Sequence, residues 1–196
     1  LPKRVCNQHK FSDYADYLHE NLPAQAELDL QREKPLNPAP LVSVAIACSG
    51  ASRAAVRSTL EALGKQTYAN FEVCVVSELA QAGLTDYEGI PKFRLVLFNG
   101  TAHEQLKAAE KMLNGAYFLQ LLPGDLPAPD ALHMLVLQTH ANPEAEVVFA
   151  DEDSVIDGIR QNPIFKPDYG RDTLRSFNSI GRPMLVSKRV HTAVGG

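Results

Sequence analysis

The apolar positions of this chain change period again and again from Leu41 onward. LVSVAIA, beginning at Leu41, and FEVCVV, Phe71 to Val76, are nearly uninterrupted β-branched and apolar runs. Runs of that kind predict strands covered on both faces. Between them, after the small-residue loop CSGAS, Val56, Leu60 and Leu63 recur at helical spacing, and Gly64 supplies a stop. FRLVLF, Phe93 to Phe98, predicts a third strand, and His103 to Leu113 a helix with Thr101 as cap and Gly115 as terminator. The strand YFLQLL, a helix over Asp130 to Thr139 and the strand EVVFA repeat the alternation. Strands alternating with helices of about ten residues imply β-α-β crossovers, hence a mostly parallel sheet in an α/β layered domain.

The flanks read differently. Phe11, Tyr14, Leu18 and Leu22 have helical spacing with Ser12 as cap, and polar, Pro-rich sequence follows as far as PLNPAP at Pro35 to Pro40. Residues 1–40 are therefore expected to be a docked helix plus linker, and 41–196 the main domain. Asp157-Gly158 predicts a turn, 160–181 a loop-rich segment, PMLVS a further strand and 188–194 a short helix. The ending at Gly195-Gly196 suggests a domain cut short at its C-terminal end.

Two acidic clusters carry the chemistry. YFLQLL empties into PGDLPAPD, Pro123 to Asp130, and EVVFA into Asp151, Glu152, Asp153 and Asp157. Loops leaving the carboxyl ends of parallel strands share one edge, so these carboxylates are expected to converge on one crevice, suited to a polyhydroxylated ligand or a hard cation. Asp130 reads as a helix N-terminal charge.

Composition narrows the field without deciding it. The 196 residues are 45% apolar and 21% charged, with a net charge of −4 and scattered basic residues, which disfavours nucleic acid as partner. Of Cys6, Cys48 and Cys74, the latter two sit inside apolar runs, so they read as core residues rather than as disulfide or Cys/His metal positions. No apolar run reaches the roughly 18 residues of a membrane span and no signal peptide opens the chain, so a reducing, cytosolic setting is expected. G-x-S-x-G, P-loop and G-x-G-x-x-G motifs are absent from the sequence.

The order and spelling of LVSVAIACSG, LEALGKQTYANFEVCVVSE, NGTAHEQLKAAEKMLNGAYFLQLLPGDLPAPDAL and NPEAEVVFADEDSVIDG, with the later FKPDYGRDTL, resemble the family 2 glycosyltransferases. The likeness runs from about Leu41 to Gly196. It implies the three-layer α/β/α GT-A fold of nucleotide-diphospho-sugar transferases. It also implies inverting transfer of a sugar to a glycan or lipid-linked acceptor in bacterial surface-polysaccharide synthesis, at the inner face of the membrane if peripherally associated. The donor site implied by the resemblance comprises Ala47, Ser49, Glu78, Lys107, Asp125, Asp151 and Asp153, with Asp125 as the candidate ligand of a divalent ion, Mg or Mn.

The chain departs from the family pattern at three strand ends and at one position of the helix before YFLQLL. Ala47-Cys48-Ser49-Gly50 replaces the nucleotide-facing end of the first strand, and Ser77-Glu78 replaces paired aspartates. Leu122-Pro123-Gly124-Asp125 replaces D-x-D-D, putting Gly124 at the usual metal position, and Lys107 replaces an asparagine. Lys107, Arg160 or Lys166 are candidate counter-charges for a diphosphate. The usual catalytic base is expected beyond Gly196. A catalytically silent binding or scaffolding domain of the same fold is the alternative.

Overall fold

The computed structural model describes residues 14–78 and 90–195. Cys6, Phe11 and the expected cap residue Ser12, with residues 79–89, lie outside the described residues. The six-stranded sheet has the order β3-β2-β1-β4-β8-β5, built from β1 (Val42–Ala47), β2 (Phe71–Ser77), β3 (Phe93–Leu97), β4 (Tyr117–Leu121), β5 (Val147–Phe149) and β8 (Met184–Ser187). β1 is parallel to β2 and β4, and β2 to β3. β8 runs antiparallel to both β4 and β5, so β5 again points the same way as β4. The carboxyl ends of β1 to β5 therefore share one edge of a mostly parallel sheet, as the sequence predicts.

The uninterrupted runs are the central strands. Every residue of β1 and β2 is buried. Val42, Val44, Ile46, Val73 and Val75 face α3 (Arg53–Gly64) and α5 (Ala131–Ala141) through Val56, Leu60, Leu63, Leu132, Leu135 and Val136. Ala45, Cys74 and Val76 face the opposite way, toward Ala109 of α4 (Ala102–Glu110) and Leu113. Helices on both faces make three layers. Ser52 caps α3, and Thr101 caps α4 in a capping box with Glu104, as expected from sequence.

Three expectations need correction. The linker contains a helix, α2 (Gln25–Glu33), behind α1 (Tyr14–Asn21); it docks through buried Leu28 and Gln31, the latter accepting from Thr67 Oγ1 at 2.6 Å. Its apolar positions are too few for periodicity to show, because only one turn touches the body. The segment 160–181 is not loop throughout. β7 (Ile159–Ile164) pairs with β6 (Glu152–Ile156) in a two-stranded hairpin across the Asp157-Gly158 turn, both residues at positive φ, and α6 (Arg171–Ser176) follows. Pro163 is tolerated because a two-stranded ribbon leaves outward N–H positions unpaired. Finally, α4 ends at Glu110, so Gly115 is no helix terminator. A Cβ there would lie 2.5 Å from Ser43 Oγ and 2.7 Å from Ser43 N, so Gly115 is what lets the entry to β4 press against β1. The expected strand at Pro183 is β8, and the last short helix is α7 (Lys188–Ala193).

Candidate functional site

At the carboxyl edge, the exits of β1 and β2 meet first. Ser49 Oγ donates to Glu78 Oε1 at 3.2 Å, both residues exposed, while Ala47 is buried at the end of β1. Beneath them lies Gln105, fully buried on α4, which sequence reasoning missed. Its Oε1 accepts from Cys48 N at 2.9 Å and its Nε2 donates to Phe98 O at 3.2 Å, tying the exits of β1 and β3 together. Lys107, two residues on, is exposed and does not line the cavity described next. Burial pushes the Cys48 and Cys74 thiols up to about 11, which leaves them as unreactive core residues.

Beyond β4 the edge opens into a cavity of about 950 Å³, walled by α5, the loop after β4, the residues leaving β5, and the hairpin β6–β7. Asp125, Asp151 and Asp153 all line it, together with Arg160 and Lys166. The exits after β2, β4 and β5 thus face one side of the molecule, with β1 between the first two. Four carboxylates of the cavity wall, Asp125, Asp151, Glu152 and Asp153, are held by neighbouring donors. Asp151 Oδ1 accepts from Lys166 N at 2.8 Å. Asp153 Oδ2 accepts from Arg160 Nε and from the Tyr14 hydroxyl, both at 2.6 Å. Burial, and then this bond to Asp153, raise the Tyr14 phenol well above its ordinary pKa. Glu152 Oε1 stands 3.4 Å from Lys166 Nζ, and the Lys166 side chain is only 2% exposed.

Asp125 turns back on its own loop. Its Oδ2 accepts from Leu122 N at 2.8 Å and lies 3.3 Å from Arg182 Nε. The neighbouring Gly124 sits at φ +100°, a conformation that L side chains avoid, so the position where the family pattern puts a ligand is one where an aspartate would be strained. The loop is fixed by Gly124 N donating to Ala55 O at 3.0 Å and to Thr59 Oγ1 at 2.9 Å, which reserves this strained turn for packing on α3. Among the described residues, no group of three or more His, Cys, Asp or Glu is placed to hold a metal ion. One carboxylate, already engaged by an N–H and a guanidinium, is a poor donor set for a hard cation, which takes six or more oxygens.

Arg182 was not foreseen from sequence, and topology explains why. Because β8 is inserted antiparallel between β4 and β5, the residues just before it emerge at the carboxyl edge beside the loop leaving β4. A five-residue apolar run announces a strand but not its direction. Tyr14 reads from sequence as one position of a helical stripe; nothing in the local pattern pairs it with a residue 139 positions away. Asp130 does stand at the N-cap of α5, without a side-chain capping bond, and lines the cavity.

Chemically, the arrangement offers carboxylate oxygens for sugar hydroxyls and fixed cations for an anionic group. The fold is of the GT-A class. A mannosyltransferase from Pyrobaculum calidifontis, solved in complex with GDP-Man and Mn2+, matches with a TM-score of 0.53 at 19% identity, covering 86% of this chain and 52% of that one. The chain is 33% identical over 72% of its length to the uncharacterized protein y4gI of Sinorhizobium fredii, covering 16% of that protein. It is 25% identical over 94% of its length to the O-antigen biosynthesis protein RfbC of Myxococcus xanthus, covering 15%. The fold that the resemblance implies is thus met, and a relative named for O-antigen biosynthesis agrees with its surface-polysaccharide type. The chain spans less than a fifth of the curated relatives it matches. No family model matches it. No described helix is long and apolar enough to cross a membrane.

Proposed function

We propose that this chain is the donor-binding part of a glycosyltransferase that moves a sugar, with inversion, from a nucleotide diphosphate to a glycan or lipid-linked acceptor in bacterial surface-polysaccharide assembly. The observation that carries the reading is the convergence of four strand exits on one edge. There an exposed polar pair at β1 and β2 shares the edge with a large cavity lined by both carboxylates and cations. The division of labour follows from the chemistry. Ser49 and Glu78 offer a hydroxyl and a carboxylate to the nucleoside; Asp151 and Asp153 accept from sugar hydroxyls, their geometry stiffened by Lys166, Arg160 and Tyr14. The mannosyltransferase with GDP-Man and the O-antigen biosynthesis relative support the substrate class and the process. A general base for the acceptor hydroxyl is assigned to none of these residues, since Asp153 is paired with Arg160, Asp151 accepts from Lys166 N and Glu78 accepts from Ser49. Donor binding at the cytoplasmic face of the membrane suits such a substrate.

Isothermal titration of UDP-, GDP- and dTDP-sugars tests the reading. Saturable binding of one of them, weakened by Asp151→Ala or Asp153→Ala, is the expected result. Silence toward all three at millimolar concentration, with or without Mn2+, would leave a catalytically silent domain of this fold.

A further inference from the structure

Resting on that reading, the geometry points to Arg182 as the group that neutralises the donor's diphosphate, in place of a divalent ion. The cavity needs such a group. Its described lining carries six carboxylates, Asp125, Asp130, Asp151, Glu152, Asp153 and Asp168, against three cations, Arg160, Lys166 and Arg182. A diphosphate is tolerated in that surplus of negative charge only directly beside a cation.

The three cations are not equivalent. Lys166 is turned into the wall, its ammonium donating to Arg182 O at 2.5 Å and facing Glu152. Arg160 is likewise engaged only through Nε, but it stands at the hairpin, held at 2.6 Å to the Asp153 oxygen that also takes the Tyr14 hydroxyl. Arg182 alone stands against the loop leaving β4, 45% exposed and touching Asp125 only through Nε at 3.3 Å. Among the described residues its two terminal nitrogens donate to nothing. That leaves a planar two-pronged donor open to the cavity, the geometry that suits phosphate oxygens.

The backbone holds this fork in place. Gly181 sits at φ +54°, where a Cβ would come 2.7 Å from Glu152 Oε1, and the next carbonyl is pinned by Lys166. Asp125 does not lose its place when the fork is taken by phosphate, because Leu122 N holds the same oxygen at the shorter distance of 2.8 Å. The cation is thus supplied by the start of β8 rather than by the acidic loop, where Gly124 contributes no ligand.

The test uses the full chain, with UDP, GDP, dTDP and inorganic pyrophosphate titrated in EDTA and again in Mn2+. The expected result is binding in EDTA that Mn2+ changes by less than about twofold, and a loss of roughly tenfold or more in Arg182→Gln but not in the surface control Arg57→Gln. Matching thermal midpoints for the two variants keep the comparison one of binding. Binding that requires Mn2+, or unchanged affinity in Arg182→Gln, overturns the assignment while leaving the nucleotide-sugar reading intact. Pyrophosphate binding that depends on Arg182, with no nucleotide bound, upholds the anion site and sinks the nucleotide reading instead. If neither binds in either condition, both fall.

Discussion

The two edges of the sheet use the same kinds of side chain to opposite ends. At the amino edge Glu72 is 1% exposed and fully engaged: it accepts from Ser43 Oγ at 2.7 Å, from Asn114 N at 2.6 Å and from Arg94 Nη1 at 2.8 Å. Ser43 Oγ in turn accepts from Gly115 N. At the carboxyl edge Asp125 and Arg182 meet at 3.3 Å, exposed by 25% and 45%. A charge buried with both oxygens hydrogen-bonded locks strands together; a charge left half in water with donors to spare is available to a ligand. The contrast separates framework from site without any appeal to residue type.

The comparison breaks most visibly at Glu72. Replacing it with Ala strips Ser43, Asn114 N and Arg94 of their common acceptor, and the expected loss is about 3 kcal/mol in chemical denaturation. Burial pushes the Glu72 carboxyl up, but the Asn114 N–H, the Ser43 hydroxyl and Arg94 together outweigh it and hold it below the usual carboxylate value. A depressed folded-state pKa means the contribution is complete above the unfolded-state value and is lost as pH falls through the folded one. The stability gap between wild type and Glu72→Ala should therefore narrow on acidification below about pH 4. A gap independent of pH would show that the carboxylate's charge is irrelevant to the framework.

Lys166 is the intermediate case, a buried cation on the ligand side of the molecule. Lys166→Met removes the partner of Glu152 and the donor to Arg182 O, but Glu152 is 30% exposed and can rehydrate. About 2 kcal/mol is expected, less than at Glu72, with a parallel loss of pyrophosphate affinity because Arg182 is no longer pinned. An unchanged affinity would place Lys166 wholly with the framework.

Tyr14 sits lower again. Helix α1 has no buried residue, and it reaches the hairpin through the Tyr14 and Tyr17 rings, edge-on to Phe165 at 6.4 and 5.1 Å, and through the Tyr14 hydroxyl. Tyr14→Phe keeps the rings and removes one charge-assisted bond, so about 1 kcal/mol is expected, read as faster hydrogen exchange in α1. The phenol's raised pKa means the bond is complete below the ordinary tyrosine value and is lost as pH climbs through the folded one, so α1 stays docked across the neutral range. Loss of protection near neutrality would contradict that.

Legibility from sequence follows the same division. β1 and β2 are covered on both faces, so their apolar runs are long and unmistakable, and parallel alternation alone puts the exits at Pro123 and Asp151 on one edge. The hairpin and α6 were not seen: Ile159, Ile164 and Phe165 are exposed, and a segment that buries little has little reason to show a period. Asp151 and Asp153 were legible because they follow a strand directly. Arg182 and Tyr14 were not, because one depends on the direction of β8 and the other on a contact across most of the chain. Lys107 differs again: the resemblance alone suggests it, and the helix turns Gln105 inward and Lys107 to solvent, away from the cavity lining.

Ser49 gives the smallest stability effect and the finest test of the contrast. Its hydroxyl and Glu78 are exposed and joined by one bond of 3.2 Å, so Ser49→Ala should change stability by less than about 0.5 kcal/mol. If the carboxyl edge is kept for a ligand, the same substitution should still weaken nucleotide binding by roughly threefold, the worth of one neutral hydrogen bond. A variant that binds as wild type would confine the ligand to the cavity beyond β4. One that loses stability without losing affinity would instead move the β1 exit into the framework, beside Gln105, whose two bonds already brace it from below.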